Sequence, residues 1–357
     1  MRFLDGGLHF VQPIGGDLRQ RIVAPGVITV VHAALRQPEL DEIGAFANTL
    51  PHCPPQSVWP IDEFATSLRH IERRGIRIPG VANVLQRNSI IGIVACGMLL
   101  MIITGGFDLS VGAVGAMSSV VAAAVIVQYS MPLGIVVALL LGLLVGIVNG
   151  FFIAKIGINP FVTTLATQVL VTGFMFVGTA AQPVYGVPES FTVLGLGRIG
   201  PIPIPTIIFA IVALVTWAIL RFTTLGHYIY IVGGNKTAAR LAGVNVDRVL
   251  VTTYALGGFF AAVAGIVLLG QTNVGQPASA ADWPLTAIAA VVVGGVPLSG
   301  GVGQVWSAVL GTLLLGIIAN ALNLLGVSPF WQPAVTGAVI LVAVGLDSYQ
   351  RKRRELR

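Results

Sequence analysis

The sequence predicts an all-α fold, a polytopic membrane helical bundle in which some helices are short or broken. The chain has 357 residues, of which 55% are hydrophobic and 10% are charged, whereas soluble domains carry about 25% charged residues. Only ten charged residues occur between Ser89 and Leu346. This distribution excludes a water-soluble enzyme and predicts a membrane domain.

About nine apolar segments approach the length needed to cross a bilayer, about 20 residues for about 30 Å of hydrocarbon. The segments at 89–104 and 285–296 are short and predict broken or tilted helices. Such breaks are tolerated only where protein or a water-filled cavity covers the freed backbone groups, so they indicate a pathway. The predicted spans are Ser89–Thr104, Leu109–Val127, Leu133–Ile153, Pro160–Ala181, Ile204–Leu220, Val249–Gly270, Leu285–Val296, Gln304–Asn323 and Phe330–Leu346.

Three parts are predicted along the chain: an atypical N-terminal segment at 1–78, a membrane domain at 79–347 and a basic cytoplasmic tail at 348–357. Lys and Arg are enriched in cytoplasmic loops, so the tail and the basic loop at 225–248 are both assigned to the cytoplasm. Counting spans back from that loop places Arg87 outside. Segment 1–78 has mixed charge and several prolines; a disordered segment, an appended domain and a mis-assigned start are all open.

Polar residues inside the apolar region are the candidates for a substrate pathway. An Asp at mid-helix in a membrane costs about 2.5–3.5 kcal/mol and needs a partner, a cavity or an interface position. A broken helix lining the route and a helix cap at the cytoplasmic surface are both open for Asp108. Polar residues within spans also hold helices together. The pathway candidates are Asp108, Ser110, Asn149, Thr163 and Thr164.

The loop 225–248 contains strong helix formers at 236–242 followed by Gly243, which predicts a short surface helix ended by that glycine. Its Gly-Asn-Lys-Thr sequence lacks the spacing of a phosphate-binding loop. A glycine stripe at Gly142, Gly146 and Gly150 predicts close helix packing. No hydrolase motif and no Cys/His metal spacing occurs in the sequence, so we predict no catalytic residue and no metal site. The basic residues form no nucleic-acid stripe.

Four glycine-rich stretches, in a fixed order, carry a resemblance to a known family. They are Thr104–Gly112, Lys155–Leu165, Leu225–Val244 and Ala287–Gly303. Together they resemble the permease subunit of the ribose-type ATP-binding-cassette sugar importers over about residues 80–347. One departure is Pro284-Leu-Thr, where the family usually has an acidic Glu-Leu-Asp.

The resemblance implies a transport subunit of the bacterial inner membrane that has ten spans, does no chemistry itself and imports a ribose-like monosaccharide. It implies four kinds of contact: a cytoplasmic ATPase that binds ATP and Mg²⁺, a second permease copy, a periplasmic sugar-binding protein and the lipid bilayer, with no cofactor on this chain. The residues expected to couple to the ATPase are Gly234, Asn235, Lys236, Ala238, Ala239, Arg240 and Gly243.

Three other functions stay open at this stage. An ion-driven secondary transporter would use charged groups at mid-membrane, where only Asp108 is available. An intramembrane enzyme would need paired catalytic residues at one interface. An importer relic without its first helix would explain why only the short apolar stretch at 22–35 precedes Ser89.

Overall fold

The computed structural model describes residues 78–328 and scattered single positions between 331 and 345. The predictions for the atypical segment before residue 78, for the tail at 348–357 and for most of the ninth span, Phe330–Leu346, lie outside the described residues.

Helices dominate the described part of the chain. A π-helical turn, Phe152–Ile156, continues α3, a 3₁₀ turn, Glu189–Thr192, precedes α5, and two short strands, β1 (Arg198–Ile199) and β2 (Ile202–Pro203), form an antiparallel pair. The helices are α1 (Ile78–Ile103), α2 (Val111–Gln128), α3 (Met131–Phe151), α4 (Pro160–Thr179), α5 (Val193–Leu196), α6 (Ile204–Phe222), α7 (Thr224–Gly234), α8 (Lys236–Leu241), α9 (Val246–Thr272), α10 (Trp283–Val293) and α11 (Val305–Leu324).

Seven helices of the described part are long and apolar enough to span a membrane: α1, α2, α3, α4, α6, α9 and α11. Together with the 11-residue α10, they match eight of the nine predicted segments. The prediction of an all-α membrane bundle is confirmed, and α10 is short as predicted for 285–296.

Helix α1 differs from its prediction. The sequence predicted a short helix at Ser89–Thr104, whereas α1 has 26 residues. The polar residues in its first turns do not interrupt the helix, because their side chains form hydrogen bonds within the protein. Gln86 donates a hydrogen bond to the Gly195 carbonyl at 3.0 Å, and Asn88 donates one to the carbonyl one turn earlier at 2.7 Å. Polar residues lower the mean hydropathy of a segment, and that average does not include the hydrogen bonds that the residues form in the folded protein.

Helix α9 lies at the centre of the bundle and packs against α1, α2 and α3. Tyr254 of α9 and the run Met98–Ile103 of α1 are almost completely buried. Outer helices such as α4 expose large apolar side chains, among them Phe174 and Val177. This arrangement is typical of a membrane bundle, because lipid covers apolar outer faces.

The glycine stripe of α3 permits its close approach to α9, as the sequence predicted. A Cβ at Gly142 would lie 2.6 Å from the carbonyl oxygen of Gly258, and one at Gly150 would lie 2.6 Å from the Cα of Val251. A Cβ at Gly146 would overlap the Tyr254 carbonyl oxygen. Only hydrogen at these positions permits this backbone-to-backbone packing.

Replacing Gly146 with alanine is expected to lower the free energy of unfolding by about 1–3 kcal/mol, because the obstructing atoms are backbone and cannot rotate away. Thermal unfolding of the detergent-purified protein measures the effect. Gly173→Ala in α4 is the matched control, since a Cβ there meets nothing within 4 Å. Equal midpoints for the two variants would show that α3 and α9 need no such close contact.

Candidate functional site

The four glycine-rich stretches meet at one end of the bundle. The end of α1 contacts the end of α7 and the loop that follows α10, while the turn between α3 and α4 contacts the start of α9. Residues almost 200 positions apart in sequence are therefore neighbours. This end of the bundle is the candidate functional site.

A buried polar network lies at the centre of this end. Asp108 is 1% exposed, and its Oδ1 accepts hydrogen bonds from the Ser110 amide at 2.7 Å and the Ser110 hydroxyl at 2.6 Å. Asn149 of α3 donates from Nδ2 to Ser110 Oγ at 2.9 Å and to Asp108 Oδ2 at 3.3 Å. Thr167 of α4 donates to Asn149 Oδ1 at 2.6 Å. The network therefore joins the α1–α2 connection to α3 and α4.

Three of the five pathway candidates, Asp108, Ser110 and Asn149, belong to this network. Thr163 and Thr164 are buried on α4, but their hydroxyls donate to carbonyl oxygens one turn earlier, at 3.2 Å and 2.8 Å. Sequence reasoning missed Thr167, which lies one helical turn after Thr163. Asn149 could have indicated such a residue, because a buried amide in an apolar span requires a polar partner.

A cavity of about 430 Å³ lies beside the network, lined by 105–107 and 159–162. Phe107 and Phe161, one from each of these stretches, are in an edge-to-face contact with ring centroids 6.3 Å apart. The Tyr254 hydroxyl donates to the Phe107 carbonyl at 3.3 Å, which ties this connection to α9.

The short helix α8 is capped at both ends. Asn235 Oδ1 accepts hydrogen bonds from the Thr237 and Ala238 amides, each at 2.9 Å, and so caps the N-terminus. At the other end Gly243 has φ +80°, a left-handed conformation that favours glycine. The predicted helix and its glycine stop are confirmed, while α7, the helix before it, was not predicted.

The faces of α8 differ in exposure. Ala239 is fully buried under the helix, whereas Leu241, at the end of α8, is 86% exposed. Gly234, Asn235, Lys236, Ala238, Arg240 and Gly243, the other predicted coupling residues, are exposed. Among the coupling candidates Ala239 therefore contributes to packing, and the exposed neighbours form the surface.

Helix α7 attaches to the membrane core through backbone contacts. A Cβ at Gly233 would overlap the carbonyl oxygen of Ile103, the last residue of α1, which accepts a hydrogen bond from the Gly301 amide at 2.8 Å. The Tyr230 hydroxyl donates to the Gly303 carbonyl at 2.7 Å. Helix α7 is therefore packed directly against the end of α1 and the loop after α10.

A second attachment is electrostatic. Asp247 at the start of α9 pairs with Lys155 at 3.2 Å and with Arg240 of α8 at 3.5 Å. Lys155 lies in the π-helical turn after α3, so the two ion pairs connect α8 with the α3–α4 turn. On α8 the pKa of Lys236 is lowered, first by partial burial and second by the Arg240 charge. Asp247 and Tyr230 were not predicted to have a role. Their contacts with Lys155 and Gly303 join residues that are distant in sequence.

Among the described residues, no group of three or more His, Cys, Asp or Glu side chains is placed to hold a metal ion.

Comparison with known proteins gives consistent matches. Residues 80–344 match the family described as branched-chain amino acid transport system / permease component. The ribose import permease protein of Haemophilus influenzae is 39% identical over 277 residues, which cover 76% of this chain and 86% of that protein. The L-arabinose transport system permease protein of Escherichia coli is 42% identical over 267 residues, covering 74% and 81%.

A third relative, the galactose/methyl galactoside import permease protein of Haemophilus influenzae, is 31% identical over 300 residues, covering 78% of this chain and 89% of that protein. The comparison with solved structures found no significant match.

Proposed function

Because the chain belongs to the family of branched-chain amino acid transport system permease components, we propose that it is the permease subunit of an ATP-driven importer that carries a monosaccharide. The chain is a multi-pass protein of the bacterial inner membrane. The family description names amino acids, whereas the three relatives above are named for sugars. Identities of 31–42% over three quarters of the chain favour a sugar as the cargo.

The importer includes a cytoplasmic ATPase and a sugar-binding protein as partners. A second permease copy completes the membrane part, either identical to this chain or related to it. ATP and Mg²⁺ bind to the ATPase, and this chain supplies no catalytic group and binds no cofactor.

The observation that carries the coupling proposal is the attachment of α7 and α8 to the membrane core. Gly233 lies against the end of α1, and Asp247 links α8 to the α3–α4 turn. An ATPase that binds the exposed residues of α8 would move the contact of α7 with α1 and the ion pairs of Asp247 together. Nucleotide can shift the transporter between states only if the ATPase binds those states with different affinity, and α8 provides the contact through which that difference acts.

The pathway proposal rests on the polar network and its cavity. Asp108, Ser110 and Asn149 lie where the α1–α2 connection meets α3 and α4. The 430 Å³ cavity beside them is lined in part by the start of α4, next to Thr163 and Thr164. Exchange of hydrogen bonds within this network would open the inner end of the path. Asp108 then acts as part of the route and not only as a helix cap.

ATP-dependent uptake tests the proposed function. Right-side-out vesicles that contain this chain and a ribose-type ATPase are loaded with ATP, and the sugar-binding protein is added outside with radiolabelled ribose, L-arabinose or galactose. We expect uptake of at least one sugar, and its loss on ATP depletion while ion gradients are held constant. Uptake that follows the ion gradient instead would establish an ion-driven secondary transporter, and a chain that never assembles with an ATPase would be an importer relic.

Leu241→Asp is expected to reduce sugar-stimulated ATP hydrolysis at least tenfold, because a carboxylate replaces an apolar side chain that is exposed in the free subunit and buried in the docked one. Leu241→Met is the control, since it keeps the apolar surface. The substitution lies outside the spans, so the amount of protein in the membrane should not change. Full sugar stimulation of ATP hydrolysis in Leu241→Asp would mean that the ATPase does not bind the end of α8.

A further inference from the structure

A second cavity lies at the opposite end of the bundle from α7 and α8. Helix α9 begins shortly after α8 and has 27 residues. At 1.5 Å per residue, the end of α9 is about 40 Å from its start. The first turns of α1, the end of α9 and the last turns of α11 surround a cavity of about 990 Å³ there. This volume is at the upper end of the range for small-molecule sites, about 300–1,000 Å³.

The lining of this cavity is rich in carboxamides. Six amide side chains line it: Asn83, Gln86, Asn88, Gln271, Asn320 and Asn323. Arg87 and Arg198 add two guanidinium groups, and the described lining contains no acidic and no aromatic side chain. The cavity also explains how Arg87 is accommodated inside α1, because a charged side chain in a membrane helix requires a polar surrounding.

Three of these amides are held by hydrogen bonds, two through their own NH₂ groups and one through its oxygen. Gln86 donates to the Gly195 carbonyl, Gln271 donates to the Gln86 carbonyl at 3.4 Å, and Arg198 donates to Asn83 Oδ1 at 2.8 Å. The side-chain oxygens of Gln86 and Gln271 have no hydrogen-bond partner among the described residues. Fixed amides with unused oxygens can accept hydrogen bonds from ligand hydroxyls.

Asn88 is positioned by a glycine of the neighbouring helix. A Cβ at Gly316 of α11 would overlap the Asn88 carboxamide. The glycine therefore leaves room for this amide between α1 and α11.

Hydroxyl groups both donate and accept, as carboxamides do, whereas a cationic ligand would meet two arginines and, among the described lining residues, no carboxylate. We infer that this cavity is a binding site for a neutral, polyhydroxylated sugar at the outer end of the transport path. The inference rests on the proposed function for the outward orientation of this end. The described lining residues offer no aromatic platform for the sugar ring, so we expect weak binding, which suits a position that the sugar must leave again.

Saturation-transfer NMR on the permease in nanodiscs, without the binding protein, tests the site directly. Ribose, L-arabinose and galactose are titrated in turn, each with its aldonic acid as a competitor. For the sugar that binds best we expect saturable millimolar binding, weakened about three- to tenfold in Asn320→Ala and in Gln271→Ala by the loss of one hydrogen-bonding group. Gly316→Ala should weaken binding similarly, because it displaces Asn88.

Gly173→Ala, which adds a methyl group in open space on α4, should leave binding unchanged, and normal unfolding midpoints should accompany Asn320→Ala and Gln271→Ala. No saturable binding to the wild type, or equal binding by wild type and variants, would overturn the inference even if ATP-driven uptake is intact. Stronger binding of the aldonic acid would also overturn it, in favour of an anion site at Arg87 and Arg198. Failure of the proposed function would show separately, as absent ATP-dependent uptake.

Discussion

Gly233→Val should abolish ATP-driven sugar uptake while the protein remains in the membrane. The new side chain would collide with the Ile103 carbonyl oxygen and with the Gly301 amide, whose nitrogen lies 2.7 Å from a Cβ at 233. Both are backbone groups already joined by a hydrogen bond of 2.8 Å, so neither can move without displacing α1 or the loop after α10. Overpacking of this kind costs about 1–3 kcal/mol, and here it acts on a backbone contact that we assign to coupling.

The measurement is uptake per membrane-inserted permease, together with copurification of the ATPase. We expect at least a tenfold loss of uptake with the ATPase still bound, since the exposed residues of α8 are unchanged. Gly173→Val in α4 makes the same chemical change where a Cβ meets nothing within 4 Å. If Gly233→Val transports like this control, the contact between α7 and α1 does not carry coupling.

Asp108→Ala should cause the second large effect. It removes the acceptor of three hydrogen bonds, from the Ser110 amide, the Ser110 hydroxyl and Asn149. Buried donors left without an acceptor cost about 1–3 kcal/mol each, so we expect a loss of several kcal/mol in unfolding free energy and little transport. Thermal unfolding and uptake are measured together.

Asp108→Asn separates the two roles that the sequence leaves open. It keeps the shape and one acceptor oxygen, so a helix cap should be largely retained, with near-normal stability. A pathway role predicts at least a tenfold loss of transport from this variant. Asp282→Asn is the control, because Asp282 is exposed at the start of α10 and its side chain makes no capping hydrogen bond. Normal transport by Asp108→Asn would leave Asp108 as a structural cap.

Local sequence features predicted most of the architecture. The spans were found because apolar runs of the required length have few alternatives in a membrane protein. The short α10 and the glycine stop of α8 were found because glycine breaks have local signatures. The stripe of α3 was found because small residues every fourth position permit close packing.

The errors and omissions have a common cause. The start of α1 was missed because Gln86 and Asn88 are satisfied by hydrogen bonds within the folded protein. The burial of Ala239 was not predicted, because α8 is too short for a periodic pattern to identify its buried face. The amide-rich cavity was not predicted at all, since α1, α9 and α11 each contribute only a few of its residues.

The sequence by itself determined that this chain is a membrane bundle, where most of its spans lie and which family its motifs resemble. Hydropathy, helix breaks and motif order are all local properties of the chain. Only the tertiary structure decided which polar residues share a network, which glycines carry a contact between helices and which amides face a common cavity. Those relations depend on distances between segments that are far apart in sequence. No local pattern encodes such distances.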